Sequence, residues 1–163
     1  MAPSPTRALK GWPDVPEEPH LFLRADAGLR LGNGHVMRCL ALADAWKELG
    51  GQATFLVNSD NAALHARVCR AGHGLELIPA SYPHSEDAAQ TICAIRSSDA
   101  EWLVLDGYHF DGEYHAAIRE AGCRLLVIDD NAHLPCYEAD VLLNQNLHAP
   151  ELAYEFRGAC RPL

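Results

Sequence analysis

His35 stands directly behind two glycines, in the run RLGNGHVMRC (30–39), between an apolar segment and a long amphipathic one. Imidazole changes charge near neutral pH, so its placement is the first chemical question the chain raises. Gly32 and Gly34 flank Asn33 and permit a tight strand-to-helix turn, with close approach of a ligand to the backbone. His35 then falls in the first turn of a helix, whose positive end favours neutral imidazole. That form accepts a proton, so His35 can serve as general base toward a water molecule. The unpaired N–H groups of the same turn suit a phosphate. The plain alternative is a helix-end histidine without a chemical role. The run is not a dinucleotide fingerprint, since no third glycine follows, and it lacks the GK[ST] of a P-loop.

Other polar side chains recur at the ends of apolar runs. Asp26 follows Leu21–Ala25, and Asp106 with Tyr108 follows Trp102–Leu105. Asp129 and Asp130 follow Leu125–Ile128, and Asn144 with Asn146 follows Val141–Leu143. Asp129 and Asp130 could equally be turn or cap residues. His133 and Cys136 have the spacing of half a zinc site, but no second pair completes it, and no metal is expected.

The elements that must position these residues alternate along the chain. Strands are expected at 21–25, 53–57, 75–78, 102–106, 124–130 and 139–146. Val36, Cys39, Leu40, Ala43, Trp46 and Leu49 recur at helical steps, and Gly50 and Gly51 stop that helix. Further helices are expected over 60–70, from Ser85 to Ser97, and from Asp111 to Gly122. Ser85 reads as the cap of the third, with Glu86 and Asp87 as early acids. Near-continuously apolar strands alternating with helices imply a parallel sheet covered on both faces. The expected fold class is therefore α/β, a Rossmann-like doubly wound parallel sheet. In such a sheet ligands sit beyond the carboxyl ends of the strands, where the polar residues named above would gather.

The 163 residues suffice for one domain, and 48% apolar with 21% charged residues is a globular balance. A formal net charge of −9 disfavours nucleic-acid binding, which needs clustered Lys and Arg. No run approaches the roughly 20 apolar residues that cross a membrane. Six scattered cysteines without a CxxC pair or secretion signal suggest reduced thiols in the cytoplasm. Residues 1–20, rich in Pro and acids, read as a flexible leader; 21–150 read as the Rossmann-like domain.

Three segments carry a resemblance. LRADAGLRLGNGHVMRCLALADAW (23–46), LVLDGYHFD (103–111) and LLVIDDNAHLPCYEADVLLNQN (125–146) occur in that order. Together they resemble the UDP-2,4-diacetamido-2,4,6-trideoxy-β-L-altropyranose hydrolases of pseudaminic acid biosynthesis. That family combines R-[TA]-D, GxGHxxR, D-H-Y-G and IDD…D-x-L-L-N-x-N elements. The resemblance implies the N-terminal half of a GT-B-type fold and metal-independent, inverting release of UDP from a sugar nucleotide, with no cofactor. It assigns the general base to His35 and a site role to Tyr108. Asp26, Gly32, Gly34, Arg38, Asp106, Asp129, Asp130, Asn144 and Asn146 are the expected substrate-binding positions.

Two departures stand out. Gly107 occupies the place of the D-H-Y-G histidine, with His109 on the far side of Tyr108. The family also has a second, nucleotide-binding Rossmann-like domain, so 151–163 read as the start of an interdomain segment and a separate C-terminal domain becomes an expected partner. Two other readings compete with hydrolysis: half of a GT-B glycosyltransferase, in which the histidine activates an acceptor hydroxyl, and a non-catalytic half-domain. An NAD site is weak, because no acidic residue clearly ends the second strand.

Overall fold

Leu21, Leu23 and Ala25 point to one side of a central strand and Phe22 to the other, and helices cover both sides. The computed structural model describes residues 19–28, 31–98 and 100–163, so most of the expected leader lies outside the described residues. That strand, β1 (His20–Ala25), pairs in parallel with β2 (Gln52–Val57) on one side and β4 (Trp102–Asp106) on the other. Beyond β2 lies β3 (Gly74–Leu77); beyond β4 lie β5 (Arg124–Ile128), β6 (Val141–Leu143) and β7 (Arg161–Pro162). The result is a seven-stranded sheet of order β3-β2-β1-β4-β5-β6-β7 with every ladder parallel.

Each face has its own apolar core. On one, α1 (Gly34–Glu48) and α2 (Ala62–Arg70) bring Val36, Cys39, Leu40, Leu64 and Val68 against Leu23, Phe55 and Val104. On the other, α3 (Ser85–Arg96) and α4 (Gly112–Glu120) bring Ile95, Tyr114 and Ile118 against Phe22, Leu103, Leu105 and Leu125. Burying one such side chain stabilises the fold by roughly 1.5–3 kcal/mol, which makes these two layers the main support of the sheet. The Rossmann-like doubly wound expectation therefore holds.

The chain runs outward from β1 to β3, then returns through α3 to place β4 on the opposite flank of β1. This reversal opens a crevice between the carboxyl ends of β1 and β4, the ordinary ligand position in such sheets. Among the described residues no helix is long and apolar enough to cross a membrane.

Several boundaries differ from the expectation. β1 begins at His20, one residue inside the segment read as leader. β5 ends at Ile128 and β6 at Leu143, so Asp129, Asp130, Asn144 and Asn146 lie in the loops beyond. Ser85 is the first residue of α3, and the His84 ring caps it by accepting from the Glu86 N–H. Residues 151–163 add β7 to the same sheet, and Tyr154 and Phe156 pack on the core around Tyr137.

Candidate active site

The glycine turn is built as its sequence suggests. Gly28 and Gly32 exchange backbone hydrogen bonds of 3.3 and 2.8 Å, closing a short loop after β1. Gly32 has φ +69°, a conformation costly to residues with a Cβ. At Gly34 no positive φ is required, and an added Cβ would meet no heavy atom within 4 Å. The described residues thus place no steric demand for glycine there. Asn33 precedes α1 without a side-chain cap, whereas Asn61, His84 and Asp111 cap α2, α3 and α4.

His35 and Arg38 lie three residues apart on α1 and reach the same partner across the crevice. The His35 Nδ1 is 2.7 Å from Asp106 Oδ1, at the end of β4. Asp106 is fully buried and also receives Arg38 through Nε at 2.5 Å and Nη2 at 2.6 Å. Asp106 accepts from Arg38 and lies nearer to Nδ1 than the Arg38 Nη2 does, 2.7 against 3.3 Å, and this shorter contact to an acceptor assigns the His35 proton to Nδ1. The lone pair of Nε2 is then the basic atom of the site.

Arg38 reaches onward with Nη1 to Asp130 Oδ2 at 2.9 Å. Asp130 also accepts from the Tyr108 hydroxyl and, at 3.4 Å, from the Asn146 amide. Burial works against the charge on Arg38, but its bonds to Asp106 and the charge of Asp130 raise it above the ordinary guanidinium value. Burial would also raise the Asp130 carboxyl, yet Tyr108 and Arg38 hold it below the ordinary value. The Tyr108 hydroxyl is pushed up to about 12, by burial first and by Asp130 next. Tyr108 therefore stays protonated near neutral pH and donates; it is not a base. Its ring stands edge-on to His35, 5.0 Å between centroids.

Five expected residues thus converge: His35, Arg38, Asp106, Tyr108 and Asp130, with Asn146 attached. Asn144 stands beside them in a supporting position, donating to the Tyr154 hydroxyl at 2.8 Å and accepting from the Asn146 N–H at 3.0 Å. Asp129 is a turn residue and more. It accepts from the Asn131 and Ala132 N–H groups at 2.7 and 3.0 Å, and from His133 and Tyr137. Burial opposes its charge, but His133, Tyr137 and these amides hold the carboxyl far below its ordinary range.

Asp26 does not join the cluster. Arg24, His109 and the Asn58 N–H occupy its carboxylate, the last two at 2.9 and 2.7 Å. Arg24 is itself fully buried and bridges Asp26 to Asp87, so Asp87 is both an early acid of α3 and an interior ion-pair partner. Gly107 and His109 explain one another. A Cβ at position 107 would meet His109 Cε1 at 2.7 Å, so a histidine packed there requires glycine two residues earlier. Sequence reasoning also missed His133 as a neighbour of Tyr108; its signal was the Asp129–His133 spacing in the loop after β5. Among the described residues no group of three or more side chains could hold a metal ion.

Fold and crevice together define a Rossmann-like domain of the kind that forms one half of a GT-B architecture. A crystal structure of Acinetobacter baumannii MurG has a similar fold, with a TM-score of 0.59 at 14% sequence identity. The likeness covers 85% of this chain and 44% of that one, so this chain spans less than half of that length. No family model matches the sequence, and no curated protein matches it.

Proposed function

We propose that this chain carries the general base of an enzyme acting on a nucleotide sugar, and that the base activates water. The observation that carries the reading is the His35–Asp106 pair at the point where the sheet changes direction. A water held on Nε2 of His35 attacks the anomeric carbon of a UDP-linked sugar. The new C–O bond forms as the bond to the diphosphate breaks, and UDP departs with that electron pair. The water's proton passes to Nε2, and Asp106 stabilises the resulting imidazolium. Attack opposite the leaving group inverts the anomeric centre.

The remaining residues have supporting tasks. Arg38 holds Asp106 in its orientation through two hydrogen bonds, and Tyr108 lines the mouth of the crevice with a protonated hydroxyl. The uncapped first turn of α1 offers N–H groups to phosphate oxygens. The resemblance to the UDP-2,4-diacetamido-2,4,6-trideoxy-β-L-altropyranose hydrolases supports a UDP-linked amino sugar of that class in this reading, and a second, nucleotide-binding domain completes the site.

The likeness to MurG, a GT-B glycosyltransferase, favours a second reading in which the same base deprotonates an acceptor hydroxyl. Both are tested on the protein that contains this chain, by following UDP release with and without candidate acceptor sugars or lipids. Release in water alone supports hydrolysis; dependence on an acceptor supports transfer. Substitution His35→Ala should reduce turnover by about 10²–10⁴-fold, the usual contribution of a positioned base. A near-normal kcat would reject the role of His35 in either reading.

A further inference from the structure

We propose that His133 is a positioning residue for this site: as an imidazolium bridging Asp129 and the Phe110 carbonyl, it ties the loop after β5 to the loop after β4 and fixes Tyr108 beside His35. The inference deepens the catalytic reading above and rests on it for its consequence in turnover. Its own basis is a hydrogen-bonding mismatch. The Nδ1 of His133 meets the Asp129 carboxylate, and its Nε2 lies 3.4 Å from the carbonyl oxygen of Phe110. An ionised carboxylate and a backbone carbonyl both accept and neither donates. Either neutral tautomer of His133 would turn a lone pair toward one of these oxygens; the doubly protonated ring satisfies both.

The surroundings agree. Asp129 and Asp130 face the ring from its own loop, together with the Tyr137 hydroxyl bound to Asp129. Tyr108 and Phe110 face it from the loop after β4, and His115 from α4. Burial disfavours the charge on His133, but Asp129, the Phe110 carbonyl and Asp130 outweigh it, and the imidazolium persists above its ordinary range. His115, which would repel it electrostatically when charged, is held neutral by burial, so it adds no repulsion near pH 7.

The mechanical consequence falls on Tyr108. Its ring lies between two imidazoles, edge-on to both, with centroids 5.0 Å from His35 and 5.4 Å from His133. Phe110, held by His133, is two residues beyond Tyr108 on the same turn. Deprotonation of His133 removes one of its two bonds and half of an ion pair. The loop that carries Tyr108 then loses its tie to Asp129, and the contact with His35 loosens as pH rises through the His133 transition.

Nitrogen-15 NMR of histidine-labelled 163-residue chain tests this without any turnover. The expected result is that both ring nitrogens of His133 are protonated at pH 6.5, with a midpoint above that value. The Tyr108 ring signals should shift with the same midpoint, and H133Q should abolish that shift. Where H133Q does not fold, the comparison of His133 and Tyr108 midpoints in the unsubstituted chain decides alone. A His133 with one bare nitrogen at pH 6.5, or a Tyr108 ring indifferent to its titration, would overturn the proposal. In turnover, H133Q should flatten the alkaline limb of the kcat/KM profile while leaving the acid limb unchanged. Coupled NMR transitions in a protein that releases no UDP would sink the catalytic reading and leave the tie between the two loops standing.

Discussion

Asp106 receives His35 and Arg38 on a single carboxylate, although His35 precedes it by 71 residues and Arg38 by 68. The pair orients the base and fixes its tautomer in one contact. Asp106→Asn should therefore act on chemistry more than on binding. An amide can turn its N–H toward His35 Nδ1, which drives the ring proton to Nε2 and removes the basic atom. Turnover should fall by about 10²–10⁴-fold. UDP affinity, measured by calorimetry on the same variant, should change less than threefold; a large loss of affinity would move Asp106 from orienting the base to holding the ligand.

Tyr108→Phe removes a hydroxyl and keeps the ring against His35 and His133. Its rate loss should be clearly smaller than that of His35→Ala. Equal losses would mean that the hydroxyl, and not the imidazole, performs the proton transfer, against the upward shift that keeps it protonated.

The two glycines before His35 should separate on substitution. Gly32→Ala forces a Cβ into φ +69° and should destabilise the chain by about 1–2 kcal/mol. Gly34→Ala meets no such strain and, among the described residues, no neighbour within 4 Å, so urea midpoints should be nearly unchanged. Its effect should appear in substrate KM, because the added methyl group stands where a ligand would approach α1. A Gly34→Ala protein with normal KM and kcat would show that nothing approaches that turn.

Stability should also fall on mild acidification through His115. Its ring is buried in α4 and held down to about 4, by burial first and by His133 next. The folded state therefore binds this proton later than the unfolded chain, whose ordinary value is 6.5. The contribution is complete above about pH 6.5 and is lost as pH falls toward 4, by ~3 kcal/mol in all. Chemical denaturation of His115→Gln between pH 7 and 4.5 should show a shallower decline than the unsubstituted chain. Parallel curves would assign the decline to other groups.

The strands were legible because a sheet buried on both faces requires nearly continuous apolar residues, and β1, β2, β4 and β5 carry them. β7 was not, since Arg161–Pro162 has no such pattern and owes its place to pairing with β6. At the site, the gathering of His35, Asp106, Tyr108 and Asp130 followed from strand ends alone. Which carboxylate met which cation did not. Asp26 and Asp106 look alike in sequence, yet Arg24 and His109 draw one into a network shared with α3 while His35 and Arg38 claim the other. His84 replaced the expected Ser85 cap because a ring nitrogen can accept the same N–H as a hydroxyl. Such choices depend on approach between distant segments, which no local spacing encodes.

The reversal of the sheet at β1 and β4 also sets an order in time. During synthesis His35 and Arg38 leave the ribosome long before their partners. At about 5–20 residues per second, the 71 residues to Asp106 take roughly 4 to 14 s. Asp130, 92 residues after Arg38, arrives later still. Through that interval α1 carries an unmatched guanidinium and an imidazole free to choose either tautomer. Basicity at Nε2 is thus a property the nascent chain acquires only when β4 docks, and a product ending before that strand would carry the histidine without the base.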